Sequence, residues 1–235
     1  MLRKAGGMTT SSTLNQKPLI IFGAGQIAEV ACAYFADEGG REVVAFVVDP
    51  EFRQMETLLG LPVLALDEAM ARYSPDQVEV FVAMSFRGVN RPRAEKCRFF
   101  EALGYTLASH VSPDAHVWKG FQVQPNCLIM EGNVIQPFVA IGRNCILWSG
   151  NHVGHHTVID DDVFIASHAV ISGNCHIGER TFIGVNATLR DNIIIGAGSV
   201  IGAGALVLGS APEGSVFMGE ATPISRVPAH RLRTI

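Results

Sequence analysis

Four histidines, His152, His155, His156 and His168, crowd residues 147–174 of this 235-residue chain, within "LWSGNHVGHHTVIDDDVFIASHAVISGN". Imidazole gives up and regains a proton near neutral pH, so such a cluster supplies general bases or metal ligands. For any one of the four, the bland alternative is a solvated side chain with no task. No suitable cysteine or serine accompanies the histidine as a nucleophile, which favours direct attack on a substrate over a covalent enzyme intermediate.

The segment that must position these side chains keeps a strict period. Every sixth residue is aliphatic, from Val111, Val117, Val123 and Ile129 through Ile165 and Ile183 to Val207. Four residues after these sit mostly small ones, such as Cys127, Cys145, Ala169, Cys175 and Ala187. Helical and strand periods of 3.6 and 2 cannot sustain a six. A short fixed period marks a solenoid whose units bury their apolar faces against one another. Three hexads close one triangular coil, so residues eighteen apart stack at roughly the strand spacing of ~4.8 Å. The pattern predicts a parallel β-helix.

A histidine at a β-helix corner projects outward, because aliphatic residues hold the inward positions. Eighteen residues from His155 lie Pro137 below and Gly173 above. The register therefore sets an imidazole one strand spacing from a glycine whose backbone N–H is sterically accessible. Acyl transfer needs that combination, one group to take a proton and another to steady an oxyanion.

Residues 17–107 read differently. "PLIIFGAG" is a buried strand entering a glycine turn, "QIAEVACAYFADEGG" has helical spacing, and "EVVAFVVD" is a second strand ending at Asp49. "LPVLAL" and "QVEVFVAMS" add strands, and "RPRAEKCRFFEALGY" a helix. This alternation predicts a parallel, Rossmann-like α/β sheet. The turn Gly23-Ala24-Gly25-Gln26-Ile27-Ala28 fits G-x-G-x-x-A, which lets phosphates approach a helix N-terminus, and Asp49 can accept from a ribose hydroxyl. Read literally, this is a nicotinamide-cofactor fingerprint. Roughly ninety residues make only about half of a dinucleotide fold, so a mononucleotide or nucleotide-sugar fits better, and the bland alternative is a glycine turn with only a packing role. After "VEVFVAM", a loop carries Arg87, Arg91 and Arg93, which can pair with a diphosphate or simply be solvated.

Composition bounds the rest. A net charge of −4 and a pI near 6.0 leave no electrostatic footprint for nucleic acid or an anionic membrane. Five cysteines without CxxC spacing fit buried packing roles in a reducing compartment. No long apolar run or signal peptide is evident, so the expectation is a cytoplasmic protein that crosses no membrane. The expected layout is a disordered leader (1–16, with Met8 an alternative start), a nucleotide-sugar-binding domain (17–107), a β-helix (108–215) and a C-terminal tail (216–235).

The run aliphatic, Gly, two variable, small, variable, clearest in "IGERTFIGVNATL" and "IGAGSVIGAGALV", resembles the hexapeptide repeat of left-handed β-helix acyltransferases. With the N-terminal unit and the closing "PEGSVFMGEATPI", roughly residues 17–225 are similar to sialic acid O-acetyltransferase-type sugar acyltransferases. That family includes nucleotide-amino-sugar N-acetyltransferases of bacterial glycan pathways. The resemblance implies a left-handed coil, a homotrimer with acetyl-CoA in the groove between neighbouring β-helices, and no metal. It makes His155 the catalytic base and Gly173 the amide facing the thioester carbonyl. Val185 and Ala203 fall where backbone groups hold the pantetheine arm. Gly23, Ala24, Gly25, Asp49 and Arg87 are assigned to the nucleotide-sugar. Two positions depart from the family. His156 stands where some members place an acid, and Phe164 where some place a cofactor-contacting histidine.

Two other functions fit parts of the chain. "VGHH" resembles part of the zinc motif of γ-class carbonic anhydrases, also left-handed β-helices, but Asp160 stands where the third ligand is needed. A non-catalytic nucleotide-sugar sensor or scaffold is the other, and the histidine cluster argues against it.

Overall fold

The computed structural model describes residues 16–231, so the expected leader lies outside the described residues except for Gln16. Ahead of the repeats, strands β1 (Leu19–Phe22), β2 (Val43–Val48), β3 (Thr57–Leu58), β4 (Leu61–Ala65) and β5 (Glu79–Val82) form one sheet in the order β3-β4-β2-β1-β5. All pairs are parallel except β3 with β4. The run "LIIF" of β1 is buried throughout, as a central parallel strand covered on both faces requires. Three helices connect the strands: α1 (Gln26–Ala33), widened by a π turn over Tyr34–Glu38, α2 (Leu66–Arg72) and α3 (Arg91–Ala102). The short α2 is absent from the sequence reading, because seven residues hold too little periodicity to reveal a helix.

From His110 onward the chain winds as a left-handed parallel β-helix of two-residue strands on three faces. The first face stacks Leu128–Ile129, Ile146–Leu147, Phe164–Ile165 and Phe182–Ile183, the second Val134–Ile135, His152–Val153 and Val170–Ile171, and the third Ala140–Ile141, Val158–Ile159 and His176–Ile177. Pairing runs in steps of eighteen, Ile165 on Ile183 among them, and the hexad aliphatics from Ile129 to Val207 are buried inside. Val123 departs from the ladder. It is exposed, outside any strand, and Phe121 packs against the core in its coil. That end coil has a stacking neighbour on one side only, so nothing holds its third face in register.

The corners explain the asparagines. Asn126, Asn144, Asp162, Asn174 and Asn192 sit at left-handed backbone positions, which short polar residues tolerate. His156 and His168 occupy the same kind of position, with φ of 60° each.

The α/β unit docks on the first face, where α1 and Phe35 bury the outward side chains Leu128, Ile146 and Phe164. Polar residues pin this contact. Asn126 donates to Asn144 Oδ1 (2.8 Å), Asn144 donates to Asp162 Oδ1 (2.6 Å), and Val82 N–H donates to Asn126 Oδ1 (2.7 Å). Arg93 closes the network, donating to Asn144 Oδ1 at 3.1 Å and to the Asp162 carbonyl at 2.9 Å. It is fully buried, so the sequence expectation that it can meet a diphosphate is corrected: its guanidinium joins the two units. Burial pushes the Arg93 pKa down and the Asp162 carboxyl up. The five cysteines are buried and unpaired. No helix among the described residues is long and apolar enough to cross a membrane.

Candidate active site

His155 and His156 stand on the corner that joins the second and third faces, the prism edge opposite the face under the α/β unit. Both are exposed, and their Nδ1 atoms lie 3.1 Å apart. One ring therefore donates to the other. The His156 ring also lies over Phe138, centroids 4.7 Å apart, and the Gln136 side chain accepts from the His155 backbone N–H at 2.8 Å. The imidazole edge of His155 faces Gly173 one coil above. A Cβ built on Gly173 would lie 2.7 Å from His155 Cε1 and 2.8 Å from Nε2, so only glycine leaves room for the ring in this position. The Gly173 N–H donates to no acceptor among the described residues. Gly154 is also sterically required, since a Cβ there would come within 2.5 Å of the Gly173 nitrogen.

The other two histidines lie elsewhere. His152 is half-buried on the second face, paired in register with Val134 and Val170. His168 occupies the corner between the first and second faces, its ring packed over Gly150, where a Cβ would come within 2.6 Å. The Gly150 N–H is spent on the Glu131 carbonyl, so His168 has no free amide beside it. Nearby on that edge, Tyr34 donates to Glu131. Burial and this carboxylate push the tyrosine up to about 12, so its hydroxyl stays neutral. Val185 and Ala203 lie on the same edge as His168, eighteen apart and exposed, and Gly219 of the closing segment packs against the Ala203 carbonyl. Phe164 is 3% exposed, beneath Phe86 and Phe182 and 5.6 Å from the Arg93 guanidinium. It is a packing residue between the two units, which corrects its expected place at a cofactor contact. Asp160 pairs with His176 at 2.9 Å, away from His155. Among the described residues of one copy, no three His, Cys, Asp or Glu side chains gather as a metal site would require.

The five residues expected around a nucleotide-sugar come together. Gly23, Ala24, Gly25, Asp49 and Arg87 line one cavity of about 440 Å³ at the C-terminal end of the sheet, where open α/β sheets bind ligands. Gly23 keeps a φ of 127° and approaches Ala83, whose carbonyl oxygen a Cβ would meet at 2.7 Å, whereas Gly25 faces open space. The N-terminus of α1 has no side-chain cap, so its first amides are left for a ligand. Gly25 and Arg87 also border a second cavity of about 480 Å³ with Gln26, Ser85 and Phe86.

Several participants escaped the sequence reading. Phe138 and Gln136 lie eighteen before His156 and nineteen before His155, so the stacking count points to both. Phe52, Gln54 and Met55 line the cavity beside Asp49 from the loop after β2, and Lys96 reaches Asp49 from α3; neither carries a local signal.

Comparison with known proteins gives the coil its class. Residues 138–173 and 174–209 match the bacterial transferase hexapeptide model of six repeats. No curated protein matches the chain. Among solved structures it is similar to a mutant of perosamine N-acetyltransferase from Caulobacter crescentus in complex with CoA and GDP-perosamine, at 26% identity and a TM-score of 0.78 over 86% of this chain and 93% of that one. It is similar to the acetyltransferase domain of PglB from Neisseria gonorrhoeae at 28% identity, TM-score 0.76, over 86% and 96% of the two chains. WeeI from Acinetobacter baumannii shares the fold at 23% identity and a TM-score of 0.78, over 87% and 97%.

Proposed function

We propose that this protein transfers the acetyl group of acetyl-CoA to an amino group of a nucleotide-linked sugar, within the sialic acid O-acetyltransferase-type group of sugar acyltransferases and in the cytoplasm. The observation that carries the proposal is the edge of His155 set against Gly173, with the glycine N–H free. An amine is favoured over a hydroxyl as acceptor because one of the similar structures is of an N-acetyltransferase.

For His155 to accept a proton at Nε2, its other nitrogen must hold one. His155 Nδ1–H then donates to His156 Nδ1, so His156 fixes the tautomer where an acid does so elsewhere. The acceptor amine attacks the thioester carbonyl, His155 takes the amine proton, the Gly173 N–H donates to the tetrahedral oxyanion, and the CoA thiolate leaves. Val185 and Ala203 offer backbone groups to the pantetheine arm. The nucleoside sits in the Asp49 cavity, the diphosphate at Gly25 and Arg87, and the sugar in the adjoining cavity beside Phe86.

In one copy the base and the nucleotide cavity lie on opposite sides of the prism. The reading therefore requires a homotrimer whose sites form between copies, each joining one copy's His155 edge to its neighbour's Val185 edge and cavity. Exposed apolar side chains on the two uncovered faces, Val158, Val170, Ile194 and Leu206 among them, support such burial.

Mass spectrometry of products from acetyl-CoA and a panel of nucleotide-linked 3- and 4-amino sugars tests the proposal. It expects one acetyl group added to at least one sugar, and a rate lowered about 10²–10⁴-fold by His155→Asn, the usual worth of a positioned base. Unmodified sugars throughout, or undiminished turnover by the variant, would reject it.

A further inference from the structure

We propose that Lys96 is a positioning residue for nucleotide recognition, holding Asp49 as a preset ion pair that reads the ribose; this rests on the nucleotide-sugar reading of the cavity. Lys96 lies on α3, and its Nζ is 2.7 Å from Asp49 Oδ1. The same ammonium faces two aromatic rings, 4.6 Å from the centroid of Phe22 and 5.1 Å from that of Phe99. The lysine side chain is only 19% exposed, unusual for a residue that ordinarily keeps its charge in water. Two ring faces and a carboxylate hold that charge in place of solvent.

Phe22 and Asp49 both line the nucleotide cavity, so this arrangement forms part of its wall. Lys96 uses only Oδ1, and Asp49 Oδ2 has no partner among the described residues. Two consequences follow. The carboxylate is held in one orientation with an oxygen left to accept from a ribose hydroxyl. A ligand bringing diphosphate charge also meets a neutral pair instead of a bare anion, which would repel it. Lys96 touches no reacting atom, and its effect passes through Asp49.

Titration calorimetry of the full chain with UDP, GDP, their 2′-deoxy counterparts and CoA tests this role. Wild type is expected to bind a ribonucleoside diphosphate about tenfold tighter than its 2′-deoxy form, the worth of one charge-assisted hydrogen bond. Lys96→Met should erase that preference and weaken ribonucleotide binding, while Lys96→Arg restores it and CoA affinity stays at the wild-type value. Asp49→Asn should lose the same preference. Full ribose preference in Lys96→Met would overturn the role of Lys96 while leaving the nucleotide reading intact. Equal losses for CoA and nucleotide in that variant would also overturn it, as a fault of folding. If wild type bound no nucleoside diphosphate, the nucleotide reading would fall and this role with it.

Discussion

Alanine at position 173 tests whether the closeness of His155 to this glycine is what catalysis uses. Its Cβ would lie 2.7 Å from His155 Cε1 and 2.8 Å from Nε2. Nonbonded heavy atoms settle at about 3.5–4.0 Å, so the ring must retreat by about 1 Å. Gly173 is not among the positive-φ residues, so its backbone accepts an alanine, and His155 is exposed, so its ring can turn aside at the cost of its contact with His156 Nδ1. Stability should change by less than about 1 kcal/mol, the scale of glycine-to-alanine effects at compatible sites. The backbone N–H survives, so the oxyanion donor is kept and the loss isolates the base. A reacting group misplaced by 1 Å costs roughly 10²-fold in rate, and that is the expected fall in turnover for Gly173→Ala. Initial rates of CoA thiol release, with a melting scan on the same protein, read both quantities. Wild-type turnover in a folded variant would refute the reasoning, because the displaced imidazole would then not be the base.

The remaining predictions concern the scaffold. Ile183→Ala and Ile129→Ala each truncate a fully buried column residue and should cost about 2–5 kcal/mol by denaturant titration. Only Ile183→Ala should also weaken CoA binding, since its coil carries the Val185 edge; equal CoA affinity in both would dissociate that edge from the donor. Arg93→Met strands the buried carbonyls of Asn144 and Asp162, while the Asn144 amide oxygen keeps its bond from Asn126, and should destabilise by about 3 kcal/mol or more; a neutral result would show the network to be dispensable. Burial, ahead of the opposing Asn144 hydrogen bond and Arg93 charge, raises the Asp162 pKa, so the folded state favours its protonated form. The stability it lends is complete below the ordinary carboxylate pKa and is lost as pH rises through the raised value. Stability of Asp162→Asn relative to wild type should accordingly increase across that window in urea titrations, and a pH-independent difference would refute the assignment.

The β-helix was legible because its geometry repeats in the sequence, each coil restating the same six-residue demand. The count of eighteen carries His155 to Gly173, and it also reaches Phe138 beneath His156. Legibility ended where contacts join distant elements. Nothing local separates Arg93 from Arg87 and Arg91; only docking onto the corner asparagines buries one and leaves another at the cavity. Lys96 and Asp49 lie 47 residues apart, so their pairing is set by how α3 crosses the end of β2. Phe164 points outward by the hexad register itself, but its burial is decided by the α/β unit covering that face. Val123 matched the period and still left the column, because an end coil lacks one of its neighbours.

Subunit complementation tests the central claim most directly. His155→Ala removes the proposed base, whereas Gly25→Trp blocks the cavity proposed for the nucleotide, at a position with open space for the side chain. The two variants, each inactive alone in the acetyl-CoA and nucleotide-amino-sugar assay, are unfolded together and refolded as an equal mixture. Sites that join the base of one copy to the cavity of another should recover about a quarter of wild-type activity, the fraction of copy pairs with both halves intact in a randomly mixed trimer. No recovery from folded, mixed trimers would contradict the account, because base and cavity would then belong to the same copy or to no common site.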